Sequence, residues 1–429
     1  MISSMSNFFL TLRTFACLFA ITLTCNALAD DNSPSQQFTV VMEQPGTLEE
    51  VLGDKPLNIT SLKIVGNIYS SDLLYLAPFM YSQKFLSHYF PGNDAPDKKL
   101  AWHKDNNTNT LNEIDLSEAT LLMSNNEEQN QYRYYEKLPP VNNPTMLVHY
   151  ATIDDINSLP RNIFENCENL KKVHLPNYMH STGYGSFANS GLTEIPLTAS
   201  IDTISNWSFK GTYATHITFP NSVKYIGAGA FYHSRLEEIH LPNSLSYLGS
   251  SAFSFSIHLK SINIPEKIDS IYKETFRGCD SLSTIYIPKN IKYIGDGAFK
   301  IDYGKRVNRT IHVYGCPDLE GSPFCSSSSH TNIYFYSATP CKLKNVYLNE
   351  ELYIPIDAKD AYLSNPEWKK LEKRLHYFDA TVGVATPSTP GKAHECDIYS
   401  INGQRLKNKQ KGINIIRMSD GSVKKVIVR

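Results

Sequence analysis

The sequence predicts a right-handed, β-rich solenoid with smaller flanking elements, and three observations carry that prediction. Phenylalanine recurs at Phe164, Phe187, Phe209, Phe231, Phe253, Phe276 and Phe299, in steps of 22 or 23 residues. Five or six residues after each of the first six comes a strand-like segment: LKKVHLP (170–176), LTEIPLT (192–198), ATHITFP (214–220), LEEIHLP (236–242), LKSINIP (259–265) and LSTIYIP (282–288). Before the next Phe the chain returns through a turn and the pattern I-G-x-x-A-F, as in Ile226-Gly227-Ala228-Gly229-Ala230-Phe231. One such unit cannot bury its own apolar face, so it must stack on its neighbours.

Each part of the repeat has a physical task. Side chains alternate along a strand, so Ile285 and Ile287 share the inward face while Thr284 and Tyr286 point out. Pro176, Pro220, Pro242, Pro265 and Pro288 cannot donate to a ladder, so each ends its strand and starts the turn. Gly227, Gly249 and Gly295 are expected at a corner that needs φ > 0 or a tight backbone. The Phe rings are expected to stack from coil to coil. Thr198 in place of Pro, and Ala214 in place of the strand-initial Leu, predict local irregularity within the same fold. Beyond residue 300 the period is lost, although Ile311-His312-Val313-Tyr314 and Ile333-Tyr334-Phe335-Tyr336 still read as strands.

The flanks divide the rest of the chain. Residues 1–29 read as a signal peptide: Arg13 precedes an apolar run from Phe15 to Thr24, and Ala27-Leu28-Ala29 fits a cleavage site. That run is too short to span a bilayer, and no second one follows, so no transmembrane span is expected in the mature chain. Cys25 leaves lipidation open as an alternative to cleavage. Residues 30–149 form an N-terminal cap region with a polar loop at 124–145, and 150–310 the solenoid. Residues 311–380 hold irregular terminal repeats and a closing segment, and 381–395 a linker. Residues 396–429 alternate apolar and polar around turns at Asn402-Gly403 and Asp420-Gly421, as a small β tail does. No C-x-x-C pair or zinc spacing occurs; the cysteines read as free thiols with at most one bridge, Cys316 and Cys325 being nearest in sequence.

The strand L-x-x-I-x-L-P followed by I-G-x-x-A-F at this period resembles the BspA-type leucine-rich repeat of exported bacterial surface proteins. The resemblance extends to Pro45-Gly46-Thr47-Leu48, to 59–66 and to 111–117 on the N-terminal side. Leu352-Tyr353-Ile354-Pro355 with Ala361-Tyr362 and Glu367-Trp368 resembles the family's closing element. The tail resembles the C-terminal sorting domain of type IX secretion cargo. These likenesses imply a leucine-rich-repeat solenoid exported to the outer surface or released, with adhesion to host extracellular-matrix proteins or to other cells as its role.

Composition narrows the function independently. With 41 Lys+Arg against 42 Asp+Glu, the formal charge is −1, which lacks the basic surface that nucleic-acid binding needs. No phosphate loop, H-E-x-x-H, G-x-S-x-G or EF-hand motif is present, so no enzyme, metal site or cofactor is expected. Binding has a better basis. The outward strand positions form two columns, Lys172, Glu194, His216, Glu238, Ser261, Thr284 and His174, Pro196, Thr218, His240, Asn263, Tyr286. Stacked in register, each spans roughly 24 Å. Solubility alone explains polar residues there, so Tyr286, a rigid aromatic, is the leading contact candidate. The partner expected is a protein; the alternative is a glycan held by Tyr286 and Asn263 in a nutrient-uptake system.

Overall fold

The computed structural model describes residues 37–52, 59–81, 111–122, 132–133, 150–151, 157–302, 308–325, 330–380, 395–400, 405–406, 410–418 and 423–428. The signal peptide, most of the polar loop and residues 381–394 of the linker lie outside them. The chain winds as a parallel β-solenoid of about 11 turns, and its repeats contribute strands to two ladders.

The outward ladder begins before the periodic region. Gln37–Met42, Ser61–Ile68 and Glu113–Leu121 pair in parallel, and the last pairs with Lys172–His174. Phe38, Leu62, Ile114 and Val173 align across these four strands as one inward column. The region expected as a cap is thus built from strands of the same ladder. Buried Asp72, on the helix Ser70–Leu76, ties it together by accepting from the backbone N–H groups of Gly46 (2.7 Å), Leu48 (3.0 Å) and Tyr69 (2.8 Å). Pro45-Gly46-Thr47-Leu48 is therefore a loop folded around a carboxylate.

Between His174 and Glu238 this ladder lapses. Residues 192–198 and 214–220 form no paired strand, and both carry the departures read in the sequence. Pairing resumes as Glu238–Ile239 with Ser261–Ile262. A five-stranded parallel sheet follows, in the order Thr284–Ile287, Arg309–Val313, Thr331–Phe335, Glu351–Pro355, Leu375–Phe378. Ile285, Ile311, Ile333, Leu352 and Leu375 align inward along it. The second ladder runs through Thr203–Ile204, Tyr225–Ile226 and Tyr247–Leu248, then through Ser270–Ile271, Tyr293–Ile294, Asp318–Glu320 and Leu343–Lys344.

The core is a spine of rings. Phe164, Phe187, Phe209, Phe231, Phe253, Phe276 and Phe299 are fully buried and stack on one another at 5.2 to 5.8 Å. Phe324 extends the stack by one coil at 6.0 Å, beyond the point where the period fades. At the C-terminal end Trp368 meets Phe335 edge-on at 5.1 Å and donates from Nε1 to Cys341 O at 2.7 Å. Its short helix, Pro366–Lys369, starts with Pro at N1, and the Asn365 side chain accepts from Glu367 N and Trp368 N. The segment that carries Trp368 packs against the core between the last two strands of the five-stranded sheet.

The corner glycines resolve one way. Gly227, Gly249 and Gly295 do not hold positive φ; they admit a neighbouring coil, since a Cβ on Gly249 would meet Ala228 N at 2.5 Å and one on Gly295 would meet Lys273 N at 2.8 Å. Left-handed backbone falls instead two residues before and two after the spine Phe. Trp207 (φ 59), Gly229 (φ 61), Ser251 (φ 56) and Glu274 (φ 57) share the first column, and His233 (φ 56), Phe255 (φ 59) and Gly278 (φ 68) the second. His233 stacks on Phe255 of the next coil at 5.0 Å, while Trp207 and Phe255 each lean on a glycine one coil further on. A Cβ on Gly229 would meet the Trp207 ring at 2.5 Å, and one on Gly278 the Phe255 ring at 2.7 Å.

The irregular C-terminal repeats conceal a charge. Arg309, 2% exposed, donates to Leu282 O (3.0 Å), Phe299 O (2.6 Å) and Cys279 O (2.8 Å). Burial lowers its pKa to about 10, which still leaves it charged at neutral pH. The five cysteines whose side chains are described are all free thiols. The tail strands Glu395–Ser400, Arg405–Leu406, Gly412–Met418 and Val423–Val428 form an antiparallel four-stranded sheet.

Candidate functional site

The outward face of the first ladder changes character along its length. At the N-terminal end it is charged. Lys63 lies 2.5 Å from Glu118 and 4.0 Å from Asp115, while His174 (3.1 Å) and Lys172 (4.0 Å) converge on Glu113 of the preceding strand. These pairs are solvated, so each contributes little to stability. Lys172 and His174 are therefore occupied side chains that hold adjacent coils in register.

The middle of the face is open and less regular. Glu194, His216, Thr218, Glu238 and His240 are exposed, and Pro196 half-exposed, as the alternation requires. His216 Nδ1 bonds its own neighbour, Thr215 Oγ1, at 2.8 Å. Asn263 has a structural task. Its Oδ1 accepts from Leu241 N at 2.7 Å and its Nδ2 donates to Leu241 O at 3.0 Å, so its amide acts as an extra peptide group continuing the ladder. The amide that a glycan would need beside Tyr286 is thereby occupied.

The C-terminal part is aromatic. Thr284 and Tyr286 point outward and Ile285 and Ile287 inward, with Tyr286 45% exposed. In-register pairing continues the Tyr286 column onto His312, Tyr334, Tyr353 and His376. The rings stack at 5.0, 5.3, 4.4 and 4.9 Å in turn. Alongside, Tyr314 stacks on Tyr336 at 4.6 Å, and Phe378 meets Tyr334 (5.6 Å) and Tyr336 (5.3 Å) edge-on. Tyr336 Oη and His312 Nδ1 are bonded at 2.9 Å, and Glu351 holds His376 at 2.7 Å. Burial lowers the His312 pKa and raises that of Tyr336 to about 12, so both are neutral at pH 7.

This geometry limits what the strip can do. Rings stacked face to face spend their π-faces on one another, so a ligand meets ring edges, hydroxyls and imidazole nitrogens. Tyr286 ends the column, and the preceding coil carries Asn263 there instead of a ring. The result is a rigid amphipathic strip held at little further cost in side-chain entropy. Among the described residues no cluster of three or more His, Cys, Asp or Glu side chains is placed to hold a metal, and no helix is long and apolar enough to cross a membrane.

Of the nine residues expected to contact a partner, Lys172 with His174 forms one local group, and Thr284 with Tyr286 another; the ladder separates the two groups. The column's continuation was missed because coil length varies after residue 300. The signal was present: Ile285-Tyr286-Ile287, Ile311-His312-Val313, Ile333-Tyr334-Phe335 and Leu352-Tyr353-Ile354 share one apolar–aromatic–apolar pattern.

Comparison with known proteins follows the same outline. A family profile described as the BspA type leucine rich repeat region matches in six copies, over residues 145–232 and 203–305. No curated protein matches the chain. Among solved structures, a leucine-rich repeat protein from Bacteroides ovatus is 19% identical, covering 46% of this chain and 72% of its own, with a TM-score of 0.33. The pneumococcal vaccine antigen PcpA is 14% identical, covering 82% and 89%, with a TM-score of 0.31. A leucine rich cell surface protein from Faecalibacterium prausnitzii is 16% identical, covering 65% and 79%, at 0.30. The profile match spans the regular part of the solenoid, residues 145–305, where the Phe spine and the parallel ladders give the fold of a leucine-rich-repeat array.

Proposed function

We propose that this is an exported, non-enzymatic surface protein that adheres to host extracellular-matrix proteins or to proteins of other cells through the C-terminal part of its outward strand face. Leucine-rich-repeat arrays are generally protein-binding, which fits this class of role. The observation that carries the reading is the continuous aromatic strip from Tyr286 to His376 on the outer face of a parallel sheet, exposed at its two ends and half-buried at His312, Tyr334 and Tyr353. Ring edges and hydroxyls at fixed spacing suit a protein surface, whose hot-spot contacts are enriched in Tyr. The spent ring faces and the occupied amide of Asn263 favour a protein over a glycan. Export rests on the leader at 1–29 and, for a type IX route, on the C-terminal tail, whose four strands form the small β sheet that a sorting domain resembles.

The test is a binding screen of the purified chain against matrix proteins and a glycan array, beside a Tyr286→Ala/Tyr353→Ala variant. A protein hit weakened tenfold or more by the variant is expected. A protein hit indifferent to the variant moves the site off this strip, and hits confined to glycans replace adhesion with carbohydrate capture.

A further inference from the structure

Cys316 and Cys341 stand on neighbouring coils near the C-terminal end of the solenoid. Just before them the rings of Tyr314 and Tyr336 stack at 4.6 Å, and just after them Leu319 pairs with Leu343 in the second ladder. The two segments are therefore fixed side by side at both ends. Between those points Cys316 Sγ lies 3.6 Å from Thr339 O, two residues before Cys341, and the two thiols are close enough to perturb each other's ionisation. Adjacent paired coils are about 4.8 Å apart, inside the range of Cα separations that a disulfide spans. Cys325, nearer in sequence, is not part of this contact.

The pair is asymmetric in the way exchange chemistry needs. Cys316 is exposed, and hydrogen bonding from Cys341 lowers its pKa to about 6, so it is a thiolate at neutral pH. Cys341 is buried, and its contact with Cys316 together with burial holds its own pKa well above the ordinary thiol value. Cys167, Cys279 and Cys325 are all raised as well, chiefly by burial. The surroundings tie the pair to the closing segment: Tyr362 Oη donates to Ser337 O (3.2 Å) and Thr339 O (3.4 Å), and Trp368 Nε1 to Cys341 O.

We infer that Cys316 and Cys341 are a thiol–disulfide exchange pair, closing to a disulfide that staples the last coils to each other when the protein meets a small-molecule or protein disulfide. The Cys316 thiolate attacks one sulfur of that donor, forming a mixed disulfide and expelling one thiolate. Cys341 then attacks the Cys316 sulfur, and the second donor sulfur leaves as a thiolate. The two protein sulfurs lose two electrons and the donor disulfide gains them; the Cys341 proton ends on one released thiolate, and the other carries the negative charge that began on Cys316 or takes a proton from water.

The experiment uses the full chain, reduced and desalted, then incubated with oxidised glutathione at pH 7, quenched by alkylation and mapped by mass spectrometry. A Cys316–Cys341 cross-linked peptide, two hydrogens lighter than the separate thiol peptides, is the expected product, with a higher unfolding midpoint than the reduced protein. Cys325→Ser should leave both effects intact, and Cys316→Ser should abolish both. The inference is overturned if Cys316 remains glutathionylated, pairs with Cys325, or stays open to alkylation. None of these readouts depends on the ligand of the strand face.

Discussion

The indole of Trp207 rests on Gly229, the residue at its own place one coil further on, and both hold left-handed backbone. A Cβ on Gly229 would meet Cε3 and Cζ3 of the ring at 2.5 Å. Gly229→Ala therefore carries two costs, about 1–2 kcal/mol for the backbone and about 1–3 kcal/mol for the overlap. Trp207→Gly should remove the second, so the double variant should be more stable than the sum of the singles predicts. Urea midpoints of the four proteins check it; simple additivity would show that the ring does not press on the glycine.

Phe253→Ala should lower stability by about 3–5 kcal/mol, because the ring is fully buried and stacked on both sides. Tyr286→Ala, which removes a ring stacked on one side and 45% exposed, should cost no more than about 1.5 kcal/mol. Equal shifts in denaturant midpoint would contradict the assignment of inward and outward faces.

Arg309→Met should be far costlier than its volume suggests. The guanidinium is the partner of three carbonyls, those of Leu282, Phe299 and Cys279. Cys279 O keeps the backbone N–H of Leu282 at 3.1 Å, so the carbonyls of Leu282 and Phe299 are the two left unpaired, each costing about 1–3 kcal/mol. Arg309→Lys should fall in between, since an ammonium lacks the planar fork that reaches all three. A methionine variant with wild-type stability would mean that the carbonyls find other donors.

Stability should also fall on acidification through His312. Burial lowers its folded pKa below the ordinary imidazole value. A base with a depressed folded pKa contributes stability that is present above its unfolded pKa and is lost as pH falls toward the folded one. Burial raises the pKa values of the phenols of Tyr314, Tyr334 and Tyr336 packed against it, so none of these carries a charge that offsets the cost of protonation. His312→Phe should flatten the fall in melting temperature between pH 7 and 5. An unchanged pH profile in the variant would assign the dependence to other groups.

Most of the fold was legible because a solenoid writes its period into the sequence wherever coil length is constant. The seven Phe, the I-x-I pairs and the strand-ending prolines each repeat a physical need that every coil shares. What escaped were features that coils satisfy individually. Asp72 is one buried carboxylate serving one loop, and Phe324 and the column from His312 to His376 sit on coils of unequal length. Gly or Asn holds most of the left-handed positions beside the Phe, but Trp207, Ser251, Glu274, His233 and Phe255 hold the others, so residue type marks them only in part. The tie between Cys316 and Cys341 was invisible for a related reason: sequence proximity pointed to Cys325, whereas stacking brings together residues one full turn apart.

The lapse in the outward ladder between His174 and Glu238 has a mechanical consequence. Single backbone bonds still join coil to coil there, from Thr193 N to Lys171 O, Tyr213 N to Leu192 O and Glu237 N to Thr215 O, whereas the five-stranded sheet pairs several residues at every step. A tensile load along the axis therefore falls on fewer bonds of that face in those coils, and more of it passes to the Phe spine and the opposite ladder. A chain stretched between a surface and an attached partner should yield there before the five-stranded sheet does, releasing slack in the middle of the array. The aromatic strip would stay folded and engaged on its own block of coils, as a fuse spares what lies behind it.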